Sequence, residues 1–566
     1  MNAIPKHPLC VCFVFTVVLF APASGAQDSQ PIYSTLDDSH AALVVGDVKG
    51  LIDGAIAVVD LVMPGMSAMI PAQIGGFTGD TEMTGFEPGN GVAAIAFPGN
   101  RVVVFAEVAE GQRDTYRESV KNLGIESAMV GDLAVFSQSE NGIETGKRVA
   151  AEVQETLLEG TGRASLDAYL HLPKILDTYK SEIEGTIASL PELMKASMAQ
   201  SATAHAPTEG MENIVQAEVY AVYNFVSQLD IFEVELEPGQ EGLSLELTFI
   251  PKKGTHFARL LTAAKGGDAG NLIRMLPDDG AFRMEAAYDV KAFQDFMLDE
   301  MDAVFEDLEW TDEEKADMRK WIEEYMTIYG RGFAGSMFGD SEVFMNGAFI
   351  YNVEDPEQSL QLFRQMATHL ESSGILDLYK KMGMEMKVDY KENFKEYKEI
   401  PIDRMEMAFD FAGMAEKEAE AFLKSFANFK YDLAIAKGYL VLTMGDPPIE
   451  GVIDRVLEGG SSDTKPLASK EKFGEGGSFY LDVGLEGYLR MISNVMKDIP
   501  DSTEKEKSEE ARAKIESSLS ALSGAPPISV GLFADTEQAN LKLSIPSGLL
   551  QKGSQAAVGA MTPEGK

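Results

Sequence analysis

Cysteine is nearly absent from this sequence, and both copies, Cys10 and Cys12, lie close to the start of the chain. Everything after them is without a thiol, which excludes a disulfide framework, a thiolate nucleophile and a thiolate-bound metal there. Such a chain has to be stabilised by buried apolar surface. With 566 residues, of which 45% are hydrophobic, it can bury a large core and form two or more domains.

The usual sequence strings of catalysis and metal binding are also missing. The six histidines form no H-E-x-x-H, no serine lies in a G-x-S-x-G turn, and neither a P-loop nor a complete EF-hand occurs. These absences favour a protein that is not an enzyme, and we assign no catalytic, cofactor-binding or metal-binding residue. Carboxylates such as Glu107, Glu110 and Asp114 are abundant. A catalytic carboxylate pair is defined by the distance between its members in space, so the sequence does not exclude a hydrolase of this kind.

One glycine string matches a known motif literally, since residues 330–335 read Gly-Arg-Gly-Phe-Ala-Gly. A dinucleotide site requires a strand before the glycines and a helix after them, so that the helix N-terminus meets the pyrophosphate. Here the pattern is reversed, because residues 311–329 predict a helix that begins with a capping box at Thr311 and Glu314. We interpret Gly330 as the helix stop and the following glycines as a loop.

Basic residues are few: 48 lysines and arginines face 90 aspartates and glutamates, which gives a net charge of −42. A charge of this sign repels the phosphates of nucleic acids and anionic lipid surfaces, so neither is expected as a partner. We interpret the acids as a solvated surface, and the composition leaves calcium binding to that surface open.

The first 26 residues predict a secretory signal peptide. They contain Lys6, then an apolar run over residues 9–20 and a small-residue end at Ser24-Gly25-Ala26. No Asn-x-Ser/Thr acceptor follows, which favours a bacterial periplasmic or extracellular location. The other long apolar run, residues 51–70, is interrupted by two aspartates and a proline, so we expect no membrane span once the signal is removed.

The chain repeats its own pattern. Residues 42–62 and 280–301 each read as an apolar strand, then Asp-Val-Lys, then an amphipathic helix, with Asp47 and Asp289 as N-caps. Further stretches recur in the same order, and the spacing between matched positions widens after Val353, which places an insertion in the second copy. Strands of alternating polarity favour antiparallel sheets with helices packed on one face.

We therefore predict an α+β protein with two related halves, each a largely antiparallel sheet with packed amphipathic helices. The predicted segments are a signal peptide at 1–26, a first half at 27–268, a linker at 269–280, a second half at 281–550 with an insertion near 371–411, and a disordered tail at 551–566.

Three features carry a resemblance to known sequences. The strand, Asp-Val-Lys and helix pattern, the stretch GAFIYNVEDPEQSLQLFRQM from Gly347 and the stretch FKEYKEIPIDRMEMAFDF from Phe394 resemble secreted bacterial proteins known only as domains of unknown function. The resemblance implies export and an α+β fold. It implies no catalytic or binding residue.

Methionine is in excess, with 28 copies, and it clusters. Met382, Met384 and Met386 alternate with other residues, and so do Met405 and Met407, which predicts two neighbouring core strands in the insertion. A Cu(I) site is the alternative, but such sites need several soft ligands at one point, with methionine often helped by cysteine or histidine.

Met63, Met66 and Met69 lack this alternation. Residues 63–77, MPGMSAMIPAQIGGF, are rich in proline and glycine and predict a loop, so we take the three thioethers as candidates for an apolar-ligand site. The alternative is that they replace leucine in an ordinary core.

Together these features predict an exported, non-enzymatic protein that binds an apolar or extended ligand, or a protein partner. The alternatives are a structural or interaction protein of the cell envelope, a carboxylate-based hydrolase and a methionine-rich Cu(I)-binding protein.

Overall fold

The computed structural model describes most of residues 39–158, 165–200, 222–264, 272–295, 330–339, 346–372, 385–410, 428–497 and 505–561, together with isolated residues elsewhere. The predicted signal peptide lies outside these residues. The described chain divides into two compact units. The first contains the residues up to Arg259 together with Thr536–Ser547, and the second contains Leu260–Asp535 and the residues from Gly548 onward.

The first unit is built on an antiparallel sheet whose described strands run in the order β4-β5-β3-β2-β1-β6-β7-β8-β18. Strands are numbered along the whole chain. Those of this sheet are β1 (Ala41–Val45), β2 (Val92–Phe97), β3 (Arg101–Glu107), β4 (Glu126–Val130), β5 (Leu133–Ser137), β6 (Leu166–His171), β7 (Leu229–Gly239), β8 (Gly242–Pro251) and β18 (Ala539–Pro546).

The helices of this part of the chain cover both faces of the sheet in part. They are α1 (Val48–Val62), α2 (Met69–Thr78), α3 (Arg113–Asn122), α4 (Glu140–Val153), α5 (Leu172–Gln200) and α6 (His256–Ala263). Ile143 and Val153 of α4 pack against Ile95 and Phe105 in a core on one face of β1–β5. On the other face, Tyr116 of α3 belongs to a smaller cluster with buried residues of β3 and β5.

The second unit contains an antiparallel sheet whose described strands run in the order β12-β13-β14-β15-β11-β10-β9-β16-β17. They are β9 (Phe282–Ala287), β10 (Gly332–Met337), β11 (Gly347–Asn352), β12 (Glu385–Tyr397), β13 (Ile400–Asp410), β14 (Asn428–Ala436), β15 (Tyr439–Met444), β16 (Phe479–Val483) and β17 (Ile528–Ala534).

Two apolar cores lie on opposite faces of this second sheet. One packs Ile449 and Val452 of α8 against Ile350 and Val441, and the other packs the apolar side of α7 against β12–β15. The helices are α7 (Pro356–Ser372), α8 (Ile449–Glu458), α9 (Ala468–Phe473), α10 (Leu485–Lys497), α11 (Lys505–Leu522) and α12 (Ser547–Met561). Helix and strand are thus mixed, and the strand pairings are antiparallel, as predicted.

The two sheets share a strand order. The run β4-β5-β3-β2-β1-β6-β7 of the first unit corresponds, position by position, to β14-β15-β11-β10-β9-β16-β17 of the second. The hairpin β12–β13 extends the second sheet beyond β14 and has no counterpart beside β4 in the described first unit. The hairpin lies within residues 371–411, for which the sequence predicts an insertion.

The C-terminal part of the chain differs from the predicted segments. β18 pairs with β8 from Ala539 opposite Phe249 to Pro546 opposite Gly242, and it therefore belongs to the first unit. Helix α12 then runs through most of the segment for which the sequence predicts disorder. Leu549 and Ala556, two turns apart on one side of α12, are both buried, and this burial accounts for an ordered helix.

The predicted N-caps and methionine strands are confirmed. Asp47 accepts a hydrogen bond from the Gly50 amide at 2.9 Å, and Asp289 accepts one from the Ala292 amide at 3.1 Å. In the hairpin, Met386 lies opposite Phe409. The register also pairs Val388 with Met407 and Tyr390 with Met405, and these side chains join the core under α7. Met382 and Met384 lie outside the described residues.

The loop interpretation of residues 330–335 is wrong for its later glycines. Gly332 and Gly335 lie in β10, a strand paired on both sides, by β9 and β11. A Cβ at Gly335 would lie 2.8 Å from the Phe349 ring, so close packing between strands accounts for the glycine. Gly330 has a φ of +52°, which suits a turn that leads into the strand.

Candidate apolar binding site

Helix α1 is apolar on almost every side. Behind its N-cap Asp47 it reads VKGLIDGAIAVVDLV, with Lys49, Asp53 and Asp60 as its charged residues. A helix of this composition is normally buried, yet no residue of α1 is fully buried. One side packs on β7, where a Cβ at Gly54 would come within 2.2 Å of the Pro238 carbonyl oxygen. The apolar residues of α1 are all partly exposed.

The three candidate methionines follow α1 directly. The Met63 amide donates to the Val59 carbonyl at 2.7 Å, the Met66 amide to the Met63 carbonyl at 3.1 Å, and the Met69 amide to the Met66 carbonyl at 3.0 Å. These successive turns hold the backbones of the three residues close together. Their side chains are 49%, 45% and 50% exposed. We call Met63, Met66 and Met69 the methionine surface.

The predicted loop over residues 63–77 is wrong beyond Ala68, because α2 begins at Met69 and continues to Thr78. Pro71 lies in the first turn of α2, where its missing N–H would have no partner within the helix anyway. Proline therefore favoured a helix start here rather than a loop. The methionine surface lies on the short connection between α1 and α2 and on the first residue of α2.

Exposed large apolar side chains concentrate in the first unit. Of the ten found among the described residues, only Phe394 and Tyr488 belong to the second unit. The other eight are Leu43, Met63, Met66, Met69, Val102, Tyr179, Val222 and Phe225. Single exposed apolar residues are ordinary on protein surfaces, whereas contiguous apolar patches mark interaction surfaces.

Part of the sheet in the first unit contributes to this exposure. Leu43 lies opposite Ala94, and Val102 lies opposite Ala96, so these four side chains share one face of β1–β3. Leu43 is 44% exposed and Val102 is 51% exposed. The opposite face carries the core that packs against α4. Apolar exposure in this unit thus extends from helix to sheet.

Two of the residues considered for catalysis or metal binding have local structural partners. Buried His40 shares a hydrogen bond with the Thr178 hydroxyl at 3.3 Å, and Glu107 accepts one from the Gly91 amide at 2.6 Å. In the described part of the chain, no group of three or more histidine, cysteine, aspartate or glutamate side chains is placed to hold a metal ion.

The second unit contains a buried charged cluster that the sequence does not predict. Arg283 on β9 lies directly opposite Asp482 on β16. Glu285 lies on β9 two residues after Arg283. It is 2% exposed and accepts a hydrogen bond from Lys470 Nζ of α9 at 2.7 Å. Lys470 also lies over the Tyr480 ring, 5.7 Å from its centre. No sequence signal predicts this cluster, because its members lie far apart along the chain.

The cluster holds α9 and the residues just before it against the sheet. Asp482 accepts hydrogen bonds from the Ala468 and Ser469 amides at 2.6 and 2.8 Å, and thereby caps α9 from a neighbouring strand. Arg283 Nη2 donates to the Lys465 carbonyl at 2.7 Å. Burial raises the pKa of Asp482 above its ordinary value despite these amides and Arg283. The contacts assign the cluster a structural role.

None of the described helices combines the length and the apolar run that a membrane crossing requires. Comparison with known proteins finds no match for the chain among family models, curated protein sequences or solved structures.

Proposed function

We propose that this protein is a non-enzymatic binding protein, which takes an apolar or extended ligand at the methionine surface of its first unit. A single observation carries the proposal: Met63, Met66 and Met69 are about half exposed at the end of an apolar helix that is itself not fully buried. Flexible, polarisable thioethers adapt to ligands of differing shape. Covering them would contribute about 1 kcal/mol per methionine.

The shared strand order supports a further proposal, that the two units arose by duplication of one α+β unit. In this account the second unit acquired the β12–β13 hairpin, whose apolar side packs under α7. The first unit kept an open apolar surface, while the second used its methionines for core packing. In this proposal the first unit binds the ligand, and the second unit provides structural support.

We further propose that the chain is exported and works in the periplasm or outside the cell. The support is the composition of residues 1–26. Fractionation of bacterial cells that express the chain with and without these residues tests export. Retention of the full chain in the cytoplasm would contradict export and would leave the binding proposal untouched.

Titration with the uncharged dye Nile red tests the binding proposal. We expect blue-shifted emission with the wild-type chain and at least about twofold lower emission with the M63Q/M66Q/M69Q variant, because glutamine keeps the side-chain length but removes the apolar surface. The variant F394Q is the matched control, since Phe394 is an exposed apolar residue of the second unit. Equal emission from the wild-type chain and the triple variant would overturn the proposal.

A further inference from the structure

The charge pattern along the chain segment that carries the methionine surface is one-sided. Residues 50–100 contain no lysine, arginine or histidine, although they include five acids. Four of these acids are exposed, and the fifth, Asp80, is buried. The exposed acids are Asp53, Asp60, Glu82 and Glu87. Residues 50–100 are therefore apolar and anionic, and Lys49, the one cation of α1, lies just before them, four residues from Asp53.

Asp80 has a structural task and is not part of a binding rim. It accepts hydrogen bonds from the Gly85 amide at 2.6 Å, the Thr84 hydroxyl at 3.1 Å and the Tyr116 hydroxyl at 3.2 Å. Burial alone would raise the pKa of Asp80, but these hydrogen bonds outweigh burial and hold it below its ordinary value.

Two of the exposed acids lie on the helix that leads to the methionines. Asp53 and Asp60 are seven residues apart, so they occupy the same side of α1, about 10 Å apart along its axis. Asp60 is three residues before Met63, which makes the two side chains surface neighbours. At physiological salt the screening length is about 8 Å, so Asp60 acts on a ligand of the methionine surface, whereas Asp53, about 15 Å from Met63 along the helix axis, contributes much less.

We infer that the ligand of the methionine surface is a cationic amphipathic helix of a partner protein. The inference rests on the proposed function and narrows it. An anionic amphiphile such as a fatty acid would meet repulsion from Asp60, whereas lysine or arginine beside an apolar stripe would meet attraction. Methionines that are half exposed on a helix connection offer an open surface, which suits the apolar side of a helix.

Two fluorescent peptides test the charge preference. Both form the same amphipathic helix of leucine with one charged residue type, lysine in the first and glutamate in the second. With the full chain at about physiological salt, we expect the lysine peptide to bind at least about tenfold more tightly by fluorescence anisotropy, and its affinity to fall as salt increases.

Two variants separate the apolar and charged contributions. D53N/D60N should weaken the lysine peptide about fivefold and reduce its salt dependence, while Nile red binding is unchanged. E471Q/E475Q changes the net charge equally at exposed acids of the second unit and should leave peptide affinity within about twofold of wild type, because these acids are not on the methionine segment.

Each outcome separates the two proposals. Equal affinity for the lysine and glutamate peptides, with Nile red still lost in M63Q/M66Q/M69Q, would overturn the cationic helix and leave the apolar site standing. If M63Q/M66Q/M69Q bound both Nile red and the lysine peptide as well as wild type does, the proposed function itself would be overturned. Concentration-dependent dimers of wild type that the triple variant abolishes would identify a second copy as the occupant and so contradict the partner helix.

Discussion

Arg364 of α7 donates two hydrogen bonds to Asp403 of β13, from Nε at 2.7 Å and from Nη2 at 3.3 Å. Asp403 is 1% exposed, and it also accepts hydrogen bonds from the Tyr390 hydroxyl and the Asn393 amide, each at 2.8 Å. Asn393 lies where the register of β12 shifts, with a φ of +48°, and this irregularity brings its amide to the carboxylate. The ion pair thus joins the β12–β13 hairpin to α7.

Loss of this pair should destabilise the second unit strongly. We expect D403N to lower the free energy of unfolding by about 3 kcal/mol, because it leaves the largely buried Arg364 with the more distant Glu392 carboxylate, at 3.7 Å, as its remaining charged partner. Urea unfolding followed by circular dichroism measures the change.

The matched control is E516Q, which removes one partner of the exposed Arg512–Glu516 pair, 2.9 Å apart on α11. Its cost should stay below about 0.5 kcal/mol, since exposed helical pairs contribute little. Similar costs for D403N and E516Q would contradict the role assigned to burial.

The Asp403 contribution should depend on pH. Burial alone would raise the pKa of Asp403, but the hydrogen bonds from Arg364, the Asn393 amide and Tyr390 outweigh it and hold the pKa below 3.8. A lowered pKa in the folded state stabilises the protein above the ordinary pKa and ceases to do so as the pH falls through the lowered one. The stability difference between wild type and D403N should therefore be constant above about pH 5 and shrink below it.

Urea unfolding of both proteins over that pH range checks this prediction. A difference that grows on acidification would mean that the pKa of Asp403 is raised rather than lowered, and would overturn the interpretation of the ion pair.

The turn between β12 and β13 contains a strained residue. Tyr397 and Ile400 close the hairpin, and both connecting residues, Lys398 and Glu399, have positive φ, of 50° and 64°. Hairpin turns with two positive φ values favour glycine or asparagine. We expect E399G to raise the free energy of unfolding by about 0.5 to 1 kcal/mol, because glycine adopts this conformation without strain. Thermal unfolding measures the gain.

The corresponding turn between β14 and β15 supplies the control. It has Lys437 at a φ of 48° and Gly438 at 82°, and nothing lies within 4 Å of a Cβ built on Gly438. G438A should therefore cost about 1 kcal/mol through backbone strain alone. A loss of stability in E399G would show that contacts of the glutamate side chain outweigh its backbone strain.

Local patterns account for what the sequence predicted well. A few neighbouring residues are enough to determine an N-cap or a strand alternation. The N-caps Asp47 and Asp289 and the alternation at Met386 and Met405 are therefore present in the folded chain. They also yielded the antiparallel α+β character. Composition makes the three methionines candidates, but the proline-rich pattern predicts a loop at Met69, where α2 begins.

Pairing between residues that are distant along the chain accounts for the features that the sequence does not predict. Arg283 and Asp482 face each other only because β9 and β16 are neighbours, and nothing near either residue indicates the other. The pairing of β18 with β8 likewise joins distant segments. Gly332 and Gly335 were interpreted from local turn propensity, whereas contacts with the neighbouring strand explain Gly335. Tertiary packing overrode local preference at that position.

Methionines of the core and of the surface should respond differently to the same change. Met405 is 3% exposed within the core under α7, whereas Met63 is 49% exposed. We expect M405A to cost about 2 to 4 kcal/mol, from lost apolar burial and the cavity left behind, and M63A less than about 0.5 kcal/mol. Urea unfolding of the two variants checks the contrast, and equal costs would remove the distinction between core and surface methionines.

The same packing predicts that the hairpin methionines do not form a Cu(I) site. Met386 is paired with Phe409 across the hairpin, and Met405 is enclosed by apolar side chains, so their thioethers already fill a core. Soft-metal sites need several such ligands to converge on one point. Anaerobic Cu(I) titration against a competing chelator should give no stoichiometric binding that M386L/M405L removes. Tight binding abolished by this variant would restore the copper hypothesis, and leucine, which conserves volume, keeps the core intact for that comparison.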